Sequence, residues 1–199
     1  MSFKIITKFE ETIAEFYGAP YAVATDCCTH AVELSLRLQK VKQTTCPKYT
    51  YISIPLTLKK LNITWEWSDE QWKDYYYLGN TNIIDAGVLW RADSYIAGTL
   101  MCLSFQFKKQ LSLGRGGMIL TDNKDSYEKL LKMSYDGRSR ELPWAEQSID
   151  TIGYHYYMTP ETAQLGIEKF NQVKDLPVKS QGYQDYPNLT SMPVFFDQN

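Results

Sequence analysis

Lys108 and Lys109 stand between two apolar runs, Leu100 to Leu103 before them and Met118 to Leu120 after, with Gly114-Arg115-Gly116-Gly117 in the connection. Both runs read as buried strands, so the lysines lie on a short loop against an apolar interior. Desolvation there disfavours an ammonium and lowers its pKa, and a neutral amine is what Schiff-base chemistry needs. The other meaning is a solvated basic loop. On spacing alone that is the commoner one, because Lys-Lys beside Gly is frequent on surfaces. Asp85 ends the apolar stretch Thr81-Asn82-Ile83-Ile84. Ligands of open α/β sheets gather at the carboxyl ends of strands, a placement that suits Asp85 to chemistry; a turn or capping aspartate fits the residue equally. Asp26-Cys27-Cys28-Thr29 leads from an apolar stretch, Tyr21 to Ala24, into a segment with Ala31, Leu34 and Leu36 on one helical face. Free N–H groups at such a helix start make an anion site, to which Thr29 adds a hydroxyl. Capping by Asp26 or Thr29 explains the same residues.

The elements that must hold these groups follow from periodicity. Ile5, Ile6, Phe9, Ile13 and Phe16 recur at the helical period, and Gly18-Ala19-Pro20 ends that helix. A helical turn or two is expected over residues 56–61, and a strand over 62–67. Residues 68–82 are polar and irregular, with three consecutive tyrosines and no evident role. An amphipathic helix is expected over 122–136, a charged loop over 137–148, and a further helix opening at Thr159-Pro160-Glu161 with Ala163, Leu165, Ile167 and Phe170 inward. Strands alternating with helices give an α/β fold with a mostly parallel sheet. Residues beyond 175 are rich in Pro, Gly and Gln and read as an extended surface tail.

At 199 residues the chain fits one domain. A net charge of −2 offers no electrostatic reason to expect nucleic acid or an anionic membrane as partner. No run approaches transmembrane length, and the amphipathic N-terminus is unlike a signal peptide. Cys27, Cys28, Cys46 and Cys102 have no C-x-x-C spacing, which argues against a disulfide framework or a structural zinc site. Reduced thiols in a cytoplasmic protein are the simplest expectation. Fifteen tyrosines and five tryptophans suit an interface or a stacking pocket.

Taken in order, the pieces Ala24–Leu36, Thr50-Tyr51, Ile83–Ala86, Ser104–Asp122 and Gly153–Phe170 resemble the fold-type I sugar aminotransferases of the DegT/DnrJ group, which are pyridoxal-phosphate (PLP) enzymes. That group's pattern is a Ser-Gly-Thr-Ala-Ala-Leu turn, a strand ending Asp-Ala-Ala-Gln, Ser-Phe-x-x-x-Lys, a Gly-x-Gly-Gly turn and a helix after Gly-x-Asn-Tyr-Arg-Met. The resemblance implies a three-layer α/β/α fold with a mostly parallel mixed sheet. It further implies a minimal PLP-binding domain over residues 1–175, a tail over 176–199, and a small C-terminal domain largely absent. By position, Lys109, five after Ser104, matches the lysine of the internal aldimine; Lys108 does not. Asp85 matches the carboxylate that keeps the pyridine nitrogen protonated. Cys28, Thr29 and Ser104 match the phosphate cradle, and Tyr51 the ring that stacks on the cofactor. No metal is implied.

The implied activity is transfer of an amino group, with glutamate as donor, to a keto-sugar nucleotide, by a homodimer with shared active sites. A cofactor-binding or assembly subunit without turnover is the alternative. Retention of Lys109 speaks against the dehydratase branch, where a histidine replaces it. Departures are Cys27-Cys28 for Ser-Gly, His30 for the first Ala, Val88 for Gln, and His155 and Tyr157 for Asn and Arg.

Overall fold

The computed structural model describes residues 3–178 and 180–198. Helix α1 (Lys4–Tyr17) turns Ile6, Phe9, Ile13 and Tyr17 inward, the spacing of one helical face. It stops at Gly18, whose φ of 73° is the left-handed conformation that closes a helix. Strand β1 (Tyr21–Thr25) follows, then α2 (Cys28–Leu38), β2 (Gln43–Pro47), α3 (Ser53–Lys60) and β3 (Thr64–Ser68). Strands β4 (Tyr76–Tyr77), β5 (Ile83–Asp85), β6 (Leu100–Ser104) and β7 (Gly117–Thr121) lead to α4 (Lys124–Ser134) and α5 (Pro160–Val173). Asn123 caps α4 with its side chain, and Thr159 caps α5 with Pro160 at its first turn, the latter as the sequence predicts.

Five strands form one sheet in the order β1-β7-β6-β5-β4, while β2 and β3 pair separately and in parallel. Alternate residues face opposite layers. Ala22, Ala24, Met101, Leu103, Met118 and Leu120 pack with α1 and α5. Val23, Leu100, Cys102 and Ile119 pack with α2, α4 and the β2–β3 pair. The result is the three-layer α/β/α arrangement with a mixed sheet. Its pairing is more antiparallel than the alternation of elements predicts: only β5–β6 is parallel within the five strands, whereas β1–β7, β6–β7 and β4–β5 are antiparallel. Connection length accounts for one of these pairs: the short return over residues 78–82 permits only antiparallel neighbours, whereas residues 86–99 are long enough for the parallel β5–β6 crossover.

Beyond α5 the chain makes short 3-10 turns at Tyr183–Asp185, Leu189–Ser191 and Pro193–Gln198. Leu189 and Phe195 are buried, and Phe195 meets the Trp67 ring edge-on at 5.4 Å. Backbone hydrogen bonds from Asp74 N to Gln181 O (2.8 Å), Tyr183 N to Trp72 O (3.1 Å) and Leu189 N to Lys48 O (2.8 Å) tie this segment to two loops of the body. Among the described residues no helix is long and apolar enough to cross a membrane.

Candidate active site

The sheet topology brings the chemistry-bearing residues to one edge. Strands β1, β5 and β6 all run in one direction, because β7 is antiparallel to both β1 and β6 and β5 is parallel to β6. Their carboxyl ends therefore deliver the 26–29 turn, Asp85 and Ser104 to the same side. Register makes this tighter: Thr25 and Ser104 both pair with Gly117, across the two edges of β7. A side chain at residue 117 would put its Cβ 2.3 Å from the Cys27 carbonyl carbon and 2.4 Å from the Cys28 nitrogen, so only glycine lets β7 meet the start of α2.

A cavity of about 350 Å³ opens at this edge, and Cys28, Thr29, Tyr51, Asp85, Ser104 and Lys109 all line it. All six residues singled out from the sequence thus share one pocket. Tyr51 is at the mouth, 54% exposed. The α2 N-terminus has no side-chain cap on its amides, because Cys27 at the N-cap makes no such bond. The first N–H groups of a helix have no intrahelical partner, so this end is an open anion-binding surface. Capping by Asp26 or Thr29, the competing explanation of the sequence, does not occur. The Thr29 hydroxyl instead donates to Ser53 Oγ on α3 (2.8 Å), holding the two helix starts together.

Asp85 is held from two sides. Its Oδ1 accepts from the Gly87 amide (2.9 Å) and its Oδ2 from the Tyr76 hydroxyl (2.8 Å). Thr50 Oγ1 lies 2.6 Å from that hydroxyl. Because the single Tyr76 proton goes to the carboxylate, Thr50 donates to Tyr76, and the three groups form a directed chain. Burial raises the Asp85 pKa above the ordinary carboxylate value; the Gly87 amide, the Tyr76 hydroxyl and the nearby Lys109 charge work against it. Lys109 is shifted the other way. Burial lowers its pKa, attraction to Cys28 and Asp85 opposes this, and Lys108 next to it adds repulsion. The pocket thus pairs a buried carboxyl group with an amine whose charged form is disfavoured.

Several lining residues carry no signal in the sequence. Tyr76 and Trp72 come from the stretch without evident role, and Gln181 and Tyr186 from the tail. Tyr186 is pushed up to about 12 by burial, with the Asp85 and Asp185 charges adding to the effect. The consecutive tyrosines and the tail aromatics were visible in the sequence, but nothing local connects them to Asp85. Beside the pocket, Asp26 Oδ1 meets His30 Nδ1 at 2.6 Å and Asp26 Oδ2 accepts from Arg115 at 2.6 Å. The His30 ring stacks on Tyr156 with centroids 3.6 Å apart. Asp26, Cys27 and His30 place donor atoms within 4.8 Å of one another, yet both Asp26 oxygens are already engaged, and His30, Asp26 and Arg115 form an ion-pair network beside α2. His155, by contrast, lies away from the pocket lining and pairs with Asp136 at 3.0 Å.

Comparison with known proteins agrees with this geometry. The DegT/DnrJ/EryC1/StrS aminotransferase family description matches residues 2–64 and 96–186. A curated relative, GDP-perosamine synthase of Escherichia coli O157:H7, is 31% identical over 78 residues, which is 39% of this chain and 21% of that protein. The crystal structure of AtS13 from Actinomadura melliaura superposes with a TM-score of 0.77 at 15% identity, covering 87% of this chain and 61% of that one. Spr1654 from Streptococcus pneumoniae, in its PLP-form, gives 0.71 at 15% identity, covering 86% and 60%. At such identities the likeness is one of fold. The chain spans about three fifths of the length of these solved structures.

Proposed function

The chain belongs to the DegT/DnrJ/EryC1/StrS aminotransferase family, and from that membership and the lining of the cavity we propose that it binds PLP there and transfers an amino group from glutamate to a keto-sugar nucleotide. The observation that carries this reading is the pairing of Asp85 and Lys109 in one buried pocket, each moved toward its neutral form by desolvation.

The residues present fit the cofactor. The uncapped α2 N-terminus, with the Cys28 and Thr29 amides and the Ser104 hydroxyl beside it, suits a phosphate group. Asp85 is a buried carboxylate in want of a cation, which a protonated pyridine nitrogen provides. Tyr51 offers an aromatic face at the mouth. When bound, PLP supplies an aldehyde carbon that condenses with amines and a ring that takes up the electron pair left when a proton leaves the donor Cα.

The protein's own groups do the rest. Lys109 Nζ, kept nucleophilic by burial and by Lys108, is the amine that would hold the cofactor. With a donor amino acid in the cavity, Lys109 Nζ would be the base that takes the proton from the donor Cα. Asp85 would keep a proton on the ring nitrogen, and the Thr50–Tyr76 chain fixes the carboxylate so that it does not turn away. Trp72 and Ile54 line the same cavity and limit the water that reaches Lys109. A homodimer with shared sites and a cytoplasmic location complete the reading by family likeness.

The test is a single turnover: protein loaded with PLP is mixed with glutamate, and the aminated cofactor and 2-oxoglutarate are quantified by chromatography. Stoichiometric amounts of both are expected. Cofactor retained without conversion would instead support a cofactor-binding or assembly subunit of this fold.

A further inference from the structure

A second, smaller cavity of about 100 Å³ adjoins the first. Gly87, Val88, Ser104, Lys108, Lys109 and Gln181 line both, so Lys109 stands on a wall shared by two spaces. The two differ in charge. Besides the shared lysines, the larger contains Asp85, Asp185 and Arg115, whereas the smaller adds the carboxamide of Gln110 and has no carboxylate, so its charged groups are all cationic. Lys108 has no carboxylate within ion-pair distance among the described residues, and neither has Lys109. Both are fixed by a turn in which the Lys109 amide donates to Gln106 O at 2.8 Å.

We propose that the smaller cavity is a carboxylate subsite that receives the carboxylate of the amino donor, with Lys108 as the charge that recruits it and Gln110 and Gln181 as neutral hydrogen-bond donors. This inference rests on the functional reading above. Size favours a small carboxylate over a nucleotide: one water needs roughly 10–15 Å³ of such space, so a cavity of about 100 Å³ seats roughly seven to ten water-sized groups, enough for a short carboxylic acid and too few for a nucleotide. Leu89, Leu111 and Val178 form its apolar walls, and a low-dielectric wall strengthens a charge pair. The position also fits the chemistry. A carboxylate at Lys108 brings the donor's amino end to the neighbouring Lys109, where exchange of amines must take place.

Glutarate, a dicarboxylate without an amino group, is the probe. Its binding is measured by calorimetry on protein with and without PLP, for wild type, Lys108→Gln and Lys108→Arg, with neutral glutaramide and uridine diphosphate as comparison ligands. Lys108→Gln is expected to weaken glutarate about tenfold, Lys108→Arg to restore most of it, and glutaramide to bind all three equally weakly. Melting temperatures should match, because Lys108 is exposed. Equal glutarate affinity in wild type and Lys108→Gln overturns the subsite. So does a loss confined to uridine diphosphate, which would make Lys108 a diphosphate contact. Borohydride reduction of the PLP-loaded sample, read by mass spectrometry, separates the two claims. Without an adduct on Lys109 the functional reading fails, and calorimetry without PLP still decides whether the cavity takes a carboxylate.

Discussion

Arg140→Met isolates one buried ion pair that ties the loop after α4 to the N-terminal helix. Glu10, on α1, is 3% exposed. It accepts from Arg140 Nη1 at 2.9 and 3.0 Å and from the Ala24 amide of β1 at 2.7 Å. Arg140 also lies 5.0 Å from the Phe3 ring centroid, while its Nε and Nη2 are buried without partners. Removing the guanidinium leaves a buried carboxylate with one amide, a loss of about 3–5 kcal/mol. For a chain of this size, at about 2–4 °C per kcal/mol, the melting temperature should fall by roughly 6–20 °C. Glu10→Gln combined with Arg140→Met should recover most of this, since a neutral amide oxygen still accepts from Ala24.

The pH dependence adds a second signature. Burial raises the Glu10 pKa above 4.5, with Arg140 and the Ala24 amide opposing. A raised carboxyl pKa means that the folded form binds the proton more tightly, so Glu10's contribution is most favourable at low pH and is lost as pH rises through the folded value. Removing Arg140 raises that value further, and the variant's deficit should grow from pH 5 to pH 8. Thermal melts by circular dichroism across that range measure it. A deficit under about 1 kcal/mol, the size of an exposed pair, or one that does not change with pH, would refute the reasoning.

Tyr76→Phe removes the donor to Asp85 and leaves the buried Thr50 hydroxyl without its acceptor, so stability should drop by about 1–3 kcal/mol; urea unfolding and PLP titration should show lower stability and weaker cofactor binding together. Gly117→Ala forces a Cβ into the 27–28 backbone, and since backbone cannot swing aside as a side chain does, a loss of about 1–3 kcal/mol with weakened cofactor binding is expected in the same two assays. Asp26→Asn acts through His30: burial alone would lower the histidine pKa, but hydrogen bonds to Asp26 and Cys27 raise it to about 9. That stabilisation is full below the unfolded value of about 6.5 and is lost as pH rises through the folded one, so the gap between wild-type and variant melting curves should narrow as pH rises through about 9, leaving only the small cost of losing the exposed Arg115 pair.

Much of this architecture was legible because the signals are local. Ile6, Phe9 and Ile13 mark α1 by period alone, and Thr159-Pro160 announces α5 by cap chemistry. Asp85 and Thr29 stood out because each follows an apolar run, and the Lys108-Lys109 pair because it lies between two, whereas Ser104 and the choice of Lys109 came from the family resemblance; sheet direction then brings them to one edge. What stayed hidden depends on contacts far along the chain. Tyr76 belongs to a strand of two residues in a polar stretch, too short for alternation to show, and its meaning lies in a hydrogen bond to Asp85 across the β4–β5 pair. Arg140 looks like any charged loop residue until it folds back 130 positions onto Glu10. Gln181 and Tyr186 reach the pocket only because backbone bonds to residues 72 and 74 bring the tail there. The antiparallel placing of β7 between β1 and β6 is likewise a long-range pairing that no local signal marks.

The most direct test of the central claim is borohydride reduction of PLP-treated wild type and Lys109→Ala, followed by peptide mass spectrometry. The account predicts one reduced pyridoxyl adduct, on the wild-type peptide at Lys109, together with a visible-edge absorbance band that the variant lacks. Identical spectra in the two proteins, with no adduct at Lys109, would contradict it and leave that lysine a structural neighbour of Asp85 rather than the amine that holds the cofactor.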